Sequence, residues 1–238
     1  MADVEVEFEE LNLEDIGVEC FTISCGPREK FLHILALLDL DLVLKKVVLF
    51  INTIDMGFTL KLFLERFGIS SAFLFPELPQ NSRLHIIEEF NSGLFDCLIA
   101  ITDDVITGID FKNVCTVINL DMPSTAAGYI NGIRRERRVS NTRTLIFLVS
   151  PDEMEAFGEL KLTRSGGVGF IAPFPSLTRR MVELLRYQAE DIESTVTGVD
   201  VRRARAEAIH GTKFEDILGT ETETETEDEI LTIRFISK

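Results

Sequence analysis

Val47-Val48-Leu49-Phe50-Ile51-Asn52-Thr53 (VVLFINT) decides the fold. Its apolar run is rich in β-branched and aromatic side chains, too short for a helix, and stops on a polar pair. Such a run is a strand buried on both faces, the kind found inside a parallel sheet. Ser71 to Phe75, Cys97 to Ile101, Cys115 to Leu120 and Thr144 to Val149 have the same character. Helix-length amphipathic segments separate them. Pro27 precedes one in which Phe31, Ile34, Leu35 and Leu38 repeat at helical spacing. Met56 to Phe67 places Leu60, Phe63, Leu64 and Phe67 on one face, and Pro79 opens a third, with Leu84, Ile87 and Phe90 apolar. Strands alternating with helices specify an α/β domain with a doubly wound, mostly parallel sheet, expected from about residue 28 to 162. A further strand around Cys20 to Ser24 is expected at the edge of that sheet.

The flanks differ in charge. Residues 1–27 form an acidic N-terminal segment, 163–220 a basic, mostly helical extension, and 221–238 an acidic low-complexity tail containing ETETETEDE. The extension follows the glycine-rich break Ser165 to Gly169. It is expected to be helical over Pro173 to Thr197, carrying Arg179, Arg180 and Arg186, and then basic at Arg202, Arg203 and Arg205. With 45% hydrophobic residues in 238, the chain can bury one substantial core plus this appendage.

The formal net charge of −16 argues at first against a nucleic-acid partner. Its distribution reverses the inference. Residues 1–19 hold eight acids and no base, and 221–229 hold six acids and no base. Outside them, 26 acids face 24 bases, so the acidity is largely terminal. Neither a metal site nor a disulfide framework is expected, because the four cysteines never form a C-x-x-C pair and the three histidines are scattered. Cys97 and Cys115, inside apolar runs, read as small core residues. No apolar stretch approaches the roughly 20 residues of a membrane span, and the acidic N-terminus lacks the features of a signal peptide. An intracellular protein with no membrane partner is expected.

Ligands of open α/β sheets gather at the carboxyl ends of the strands, so the residues that follow each strand carry the most information. They are Asn52-Thr53, then Thr102-Asp103 with Gly108-Ile109-Asp110 close behind, Asn119 to Pro123, and the arginine-dense Ile130 to Arg138. Each has a bland alternative. The arginines could be a solvated helix face, Asp110 a cap or turn residue, and Arg83 the ion-pair partner of Glu88.

In their order and spacing these elements resemble the DEAD-box ATP-dependent RNA helicases. LFINT resembles helicase motif IV, and Gln80-Asn81-Ser82-Arg83 the Q-x-x-R element. Thr102 to Asp110 resembles motif V, Asn119 to Pro123 the N-x-D-x-P step, and Asn131 to Arg138 motif VI. The resemblance covers about residues 18–218 and implies a RecA-like domain, the second of the two in such helicases. It implies that Arg135 and Arg138 reach the γ-phosphate of ATP, where a guanidinium fork is worth about 10³–10⁵ in rate. It further implies that Gly108 and Asp110 contact ATP, with the carboxylate on the ribose, and that Thr53, Gln80, Arg83, Thr102 and Asp103 contact RNA. There are departures: in motif VI Asn131 stands for the histidine, Gly132 for the first arginine and Arg134 for the glycine. Thr107 replaces the arginine before Gly108, and Pro76 a glycine before the Q-x-x-R helix.

The sequence contains no G-x-x-x-x-G-K-[ST] loop and no D-E-A-D tetrapeptide. The resemblance therefore implies ATP shared with a first RecA-like domain, supplied upstream in cis or in trans, with magnesium held only through that domain. Residues 1–27 resemble the end of an interdomain linker, so a truncated or separately encoded half, unable to hydrolyse ATP alone, is expected. Glu77-Leu78-Pro79, Pro27 to Phe31 and Leu185-Arg186-Tyr187 are most similar to the nucleolar branch acting in large ribosomal subunit assembly. That similarity implies a ribosomal precursor RNA as partner and a nuclear or nucleolar location. The rival expectations are a non-catalytic scaffold that binds RNA or assembly factors, and an unrelated doubly wound domain with no RNA affinity.

Overall fold

The structure, a computed structural model, describes residues 19–101, 111–122, 144–163 and 171–210. Strands β1 (Glu19–Ser24), β2 (Val47–Ile51), β3 (Ser71–Leu74), β4 (Cys97–Ile101), β5 (Thr116–Asn119), β6 (Thr144–Val149) and β7 (Ala172–Pro173) form one parallel sheet, ordered β3-β4-β2-β5-β6-β1-β7. Helices α1 (Lys30–Asp39), α2 (Ile54–Arg66), α3 (Gln80–Ser92), α4 (Met154–Thr163) and α5 (Arg179–Glu193) accompany it. All five strands expected from apolar runs are present. Every residue of β2, β4 and β5 is buried, as two-sided coverage by helices requires.

The strand at Cys20 to Ser24 corrects one expectation, since it does not lie at the edge. It pairs with β6 on one side, Glu19 opposite Thr144, and with the two-residue β7 on the other. Phe174 continues this cover by donating its N–H to the Thr22 carbonyl at 2.9 Å and setting its ring edge-on to Phe21.

The core is aromatic on the β3 side. Phe58 of α2 meets Phe73 at 5.0 Å between centroids and Phe75 at 5.2 Å, both edge-on. Gly57 permits this approach, because a Cβ there would fall 2.1 Å from Phe73 Cζ and 2.6 Å from Ile51 Cδ1. Cys97 is buried in the core, whereas Cys115 is half-buried.

The extension also differs from expectation. Instead of one helix from Pro173, Ala172–Pro173 joins the sheet, and α5 begins only at Arg179, where the Thr178 hydroxyl accepts the Met181 N–H. The compact unit that holds the sheet runs to Val196, past the boundary near 162 read from sequence, because α5 packs on α1. Thr197 opens a second unit containing helix α6 (Gly198–His210). There the Asp200 carboxylate accepts the Thr197 N–H at 2.9 Å and its hydroxyl at 2.7 Å, a reciprocal N-terminal cap, and the helix carries Arg202, Arg203 and Arg205.

Candidate functional site

The carboxyl ends of β2, β5 and β6 are bound together by one buried polar network. β5 leads through Leu120, whose N–H donates to the Phe50 carbonyl at 2.9 Å, into Asp121 and Met122. Asp121 Oδ2 accepts the backbone N–H of Asn52 at 3.1 Å, and the Asn52 side-chain amide donates to the Met122 carbonyl at 3.0 Å. The N-x-D-x-P step read from sequence is thus tied directly to the residue that follows VVLFI.

Lys30, the first residue of α1, completes the network. Its ammonium donates to Glu153 Oε1 at 2.8 Å and to Asp121 Oδ1 at 3.4 Å, with side-chain exposures of only 7% for Lys30, 12% for Asp121 and 19% for Glu153. Glu153 also accepts the Met122 N–H at 3.2 Å, the Ser150 N–H at 2.9 Å and the Ser150 hydroxyl at 2.6 Å. Burial pushes the Glu153 carboxyl up, but the Lys30, Ser150 and backbone donors outweigh it and hold the group below its ordinary value. Two carboxylates share one ammonium here, and their hydrogen-bonding capacity is engaged inside the protein. The network is therefore a brace that fixes strand ends.

Next to it, Glu29 Oε2 accepts the Gly26 N–H at 3.0 Å and Oε1 accepts Arg186 of α5 at 2.6 Å. The Arg186 hydrogen bond, followed by that of Gly26, holds the Glu29 carboxyl below its ordinary value. Arg186, grouped by sequence with the basic extension, is committed to Glu29 and Glu183. Cys25 precedes this turn, and burial pushes its thiol up to about 12.

Three of the residues singled out from sequence fall on described elements. Thr53 is exposed and caps α2, its hydroxyl accepting the Met56 N–H at 3.3 Å. Gln80 is exposed as the first residue of α3, after Pro79. Arg83, one turn further on, is half-buried; its Nε is buried without a hydrogen-bond partner, and no ion pair with Glu88 forms among the described residues. Both α2 and α3 begin at the carboxyl edge, after β2 and β3, so these side chains share the edge that the buried network braces. Thr102, Asp103, Gly108, Asp110, Arg135 and Arg138 lie outside the described residues.

Lys30, Ser150 and Glu153 went unremarked in the sequence, although each left a sign. Lys30 stands one turn before Ile34 and two before Leu38, a cation on an apolar stripe. Ser150-Pro151-Asp152-Glu153 is an S-x-x-E capping box, formed here with both hydrogen bonds. Among the described residues, no helix is long and apolar enough to cross a membrane.

Comparison with known proteins agrees with the arrangement. Residues 29–140 match the family described as the helicase conserved C-terminal domain. The chain is 47% identical over 229 residues to DEAD-box ATP-dependent RNA helicase 16 of Arabidopsis thaliana, covering 80% of this chain and 37% of that protein. It is 29% identical over 265 residues to ATP-dependent RNA helicase dbp9 of Aspergillus oryzae, covering 87% of this chain and 44% of that protein. The chain therefore spans less than half the length of these curated relatives. Among solved structures, the E. coli DEAD-box protein SrmB superposes with a TM-score of 0.59 at 21% identity, over 69% of this chain and 93% of that one. Mss116p DEAD-box helicase domain 2, solved bound to an RNA duplex, superposes at 0.60 and 18% identity, over 76% of this chain and 71% of that one. These structures share the seven-stranded RecA-like fold.

Proposed function

The chain carries the C-terminal helicase domain of the DEAD-box RNA helicase family, and from that premise we propose that it grips the RNA backbone and supplies one wall of an ATP site shared with a first RecA-like domain. Arg135 and Arg138 reach the γ-phosphate, Gly108 and Asp110 hold the ribose side of ATP, and magnesium enters only with the first domain. Thr53, Gln80, Arg83, Thr102 and Asp103 hold RNA phosphates and sugars, which are read by hydroxyl, amide and guanidinium donors. The observation that carries this reading is Arg83, a guanidinium without an acidic partner among the described residues, on the helix that begins at the carboxyl edge of the sheet after β3. The segments Glu77-Leu78-Pro79 and Pro27 to Phe31, with the similarity to the dbp9 helicases, support a ribosomal precursor RNA as substrate and a nucleolar setting.

The test is RNA-stimulated ATP turnover by this chain joined to, or mixed with, a first RecA-like domain from a relative. Wild type should exceed Arg135→Ala and Arg138→Ala by at least about 10³-fold, the lower range for a phosphate-directed arginine. Equal rates would remove the arginine assignments. The replacements at Asn131, Gly132 and Thr107 favour a second reading, a non-catalytic RNA-binding scaffold. That reading expects salt-dependent RNA binding with no turnover from any such pairing.

A further inference from the structure

Helix α5 is charged against its own dipole. A helix favours acids in its first turn and bases in its last. α5 has Arg179 and Arg180 and no acid in its first turn, and Glu190 and Asp191 and no base in its last. The buried side of the helix does not explain this, since Val182 and Ala189 face the protein and Arg186 ties down to Glu29.

The opposite side carries the second anomaly. Arg180, Leu184, Tyr187 and Asp191 follow the spacing i, i+4, i+7, i+11, which places them in one narrow stripe. Leu184 is 73% exposed and Tyr187 83% exposed, and they sit side by side between an exposed cation and an exposed anion. An exposed leucine alone needs no explanation. An apolar pair centred between opposite charges, at the spacing of a helix-recognition seam, has the form of an interface anchor with a charged rim.

We propose that this stripe of α5 docks an amphipathic helix from a partner protein, and that the partner lies parallel to α5. The charges fix the occupant. Arg179 and Glu190 are already paired along the helix, with Glu183 and Arg186, so the stripe requires negative charge beside Arg180 and positive charge beside Asp191. A helix charged in the ordinary way, acidic at its N-terminus and basic at its C-terminus, meets that requirement in the parallel direction. Laid antiparallel, it would bring acid against acid and base against base. Leu184 and Tyr187 then anchor the apolar face of the partner, and the reversed charges of α5 set its direction.

The test uses the whole chain and two synthetic helical peptides of identical composition. One has glutamates in its first turn, leucines along one face and lysines in its last turn; the other keeps the leucine face but carries a glutamate and a lysine in each terminal turn, so that it matches the stripe in neither direction. Binding is followed by fluorescence anisotropy, and direction by energy transfer from a dye at Ser176→Cys to an acceptor on either end of the peptide. The acid-first peptide should bind at least about fivefold more tightly, in the range of a modest electrostatic preference, with the stronger transfer to its N-terminal acceptor. Leu184→Ser with Tyr187→Ser should abolish binding of both. An Arg180→Glu, Asp191→Lys variant should turn the acid-first peptide round, so that its C-terminal acceptor becomes the nearer one, a reversal that misfolding cannot produce. Equal affinity for the two peptides, stronger transfer to the C-terminal acceptor in the wild type, or binding that survives loss of Leu184 and Tyr187, overturns the proposal. So does self-association of the chain that depends on Leu184 and Tyr187 without peptide discrimination, which would make a second copy the occupant. RNA that binds in place of the peptides and depends on Tyr187 would overturn it too.

Discussion

The Lys30 ammonium donates to Glu153 Oε1 at 2.8 Å across 123 positions of sequence, joining the start of the first helix to the turn after the last long strand. Replacing Lys30 by methionine should leave Asp121 and Glu153 facing each other without their cation. Loss of one partner of a buried pair costs about 3–5 kcal/mol, and urea unfolding should show a loss of that order. Lys30→Met with Glu153→Gln should recover part of it. A single variant as stable as wild type would show that the brace carries no stability.

The same carboxyl sets an acid limit on stability. Glu153 titrates below its ordinary value of 4.5 in the folded protein and near that value once unfolded. The unfolded state therefore binds more protons between the two values, so stability falls as pH drops through that interval and the contribution is complete above it. Urea midpoints measured between pH 7 and 3.5 should decline below about pH 4.5, less steeply in Glu153→Gln. Identical pH profiles for the two proteins would contradict the assignment.

At Gly57 the expected cost is steric. Gly57→Ala forces a methyl onto Phe73 and Ile51 at distances no carbon contact sustains, so α2 or the Phe73 ring must shift. Overpacking of this kind costs about 1–3 kcal/mol. A lower thermal midpoint checks it, and an unchanged midpoint would mean that the ring turns aside freely.

Thr53 lets capping be separated from RNA contact. Thr53→Ala should lose about 1 kcal/mol with the helix cap and weaken RNA binding as well. Thr53→Asp keeps a cap oxygen, and so the stability, yet sets an anion against the phosphates. RNA affinity that tracked stability in both variants would reduce Thr53 to a cap alone.

Arg83→Met should behave in the opposite sense. It removes a guanidinium whose Nε has no partner, so stability should change by less than about 0.5 kcal/mol. RNA affinity should fall, and the slope of log affinity against log salt should lose about one unit. An unchanged slope would detach Arg83 from the phosphates.

The five apolar strands and the helices between them were legible because burial on both faces writes itself into neighbouring residues. Long-range pairing is not written that way. Nothing near Cys20 announces that β7, about 150 residues later, will lie on its outer side, and the edge expected there was lost to Ala172–Pro173. The brace was hidden for the same reason. Lys30, Asp121 and Glu153 are unremarkable one at a time, and only the strand order makes them neighbours. Arg186 reads from sequence only as one cation of a basic extension, and its pairing with Glu29, 157 positions away, becomes visible only in the fold.

The pairing of β1 with β6 also times the birth of the domain. Glu19 finds Thr144 only after the intervening chain has been made, which at about 5–20 residues per second takes roughly 6–25 s on the ribosome. Throughout that wait, Cys20 and Ile23 have no β6 to cover them, and the rest of the sheet stands with one flank open. A pause in translation just before residue 144 would lengthen that exposure.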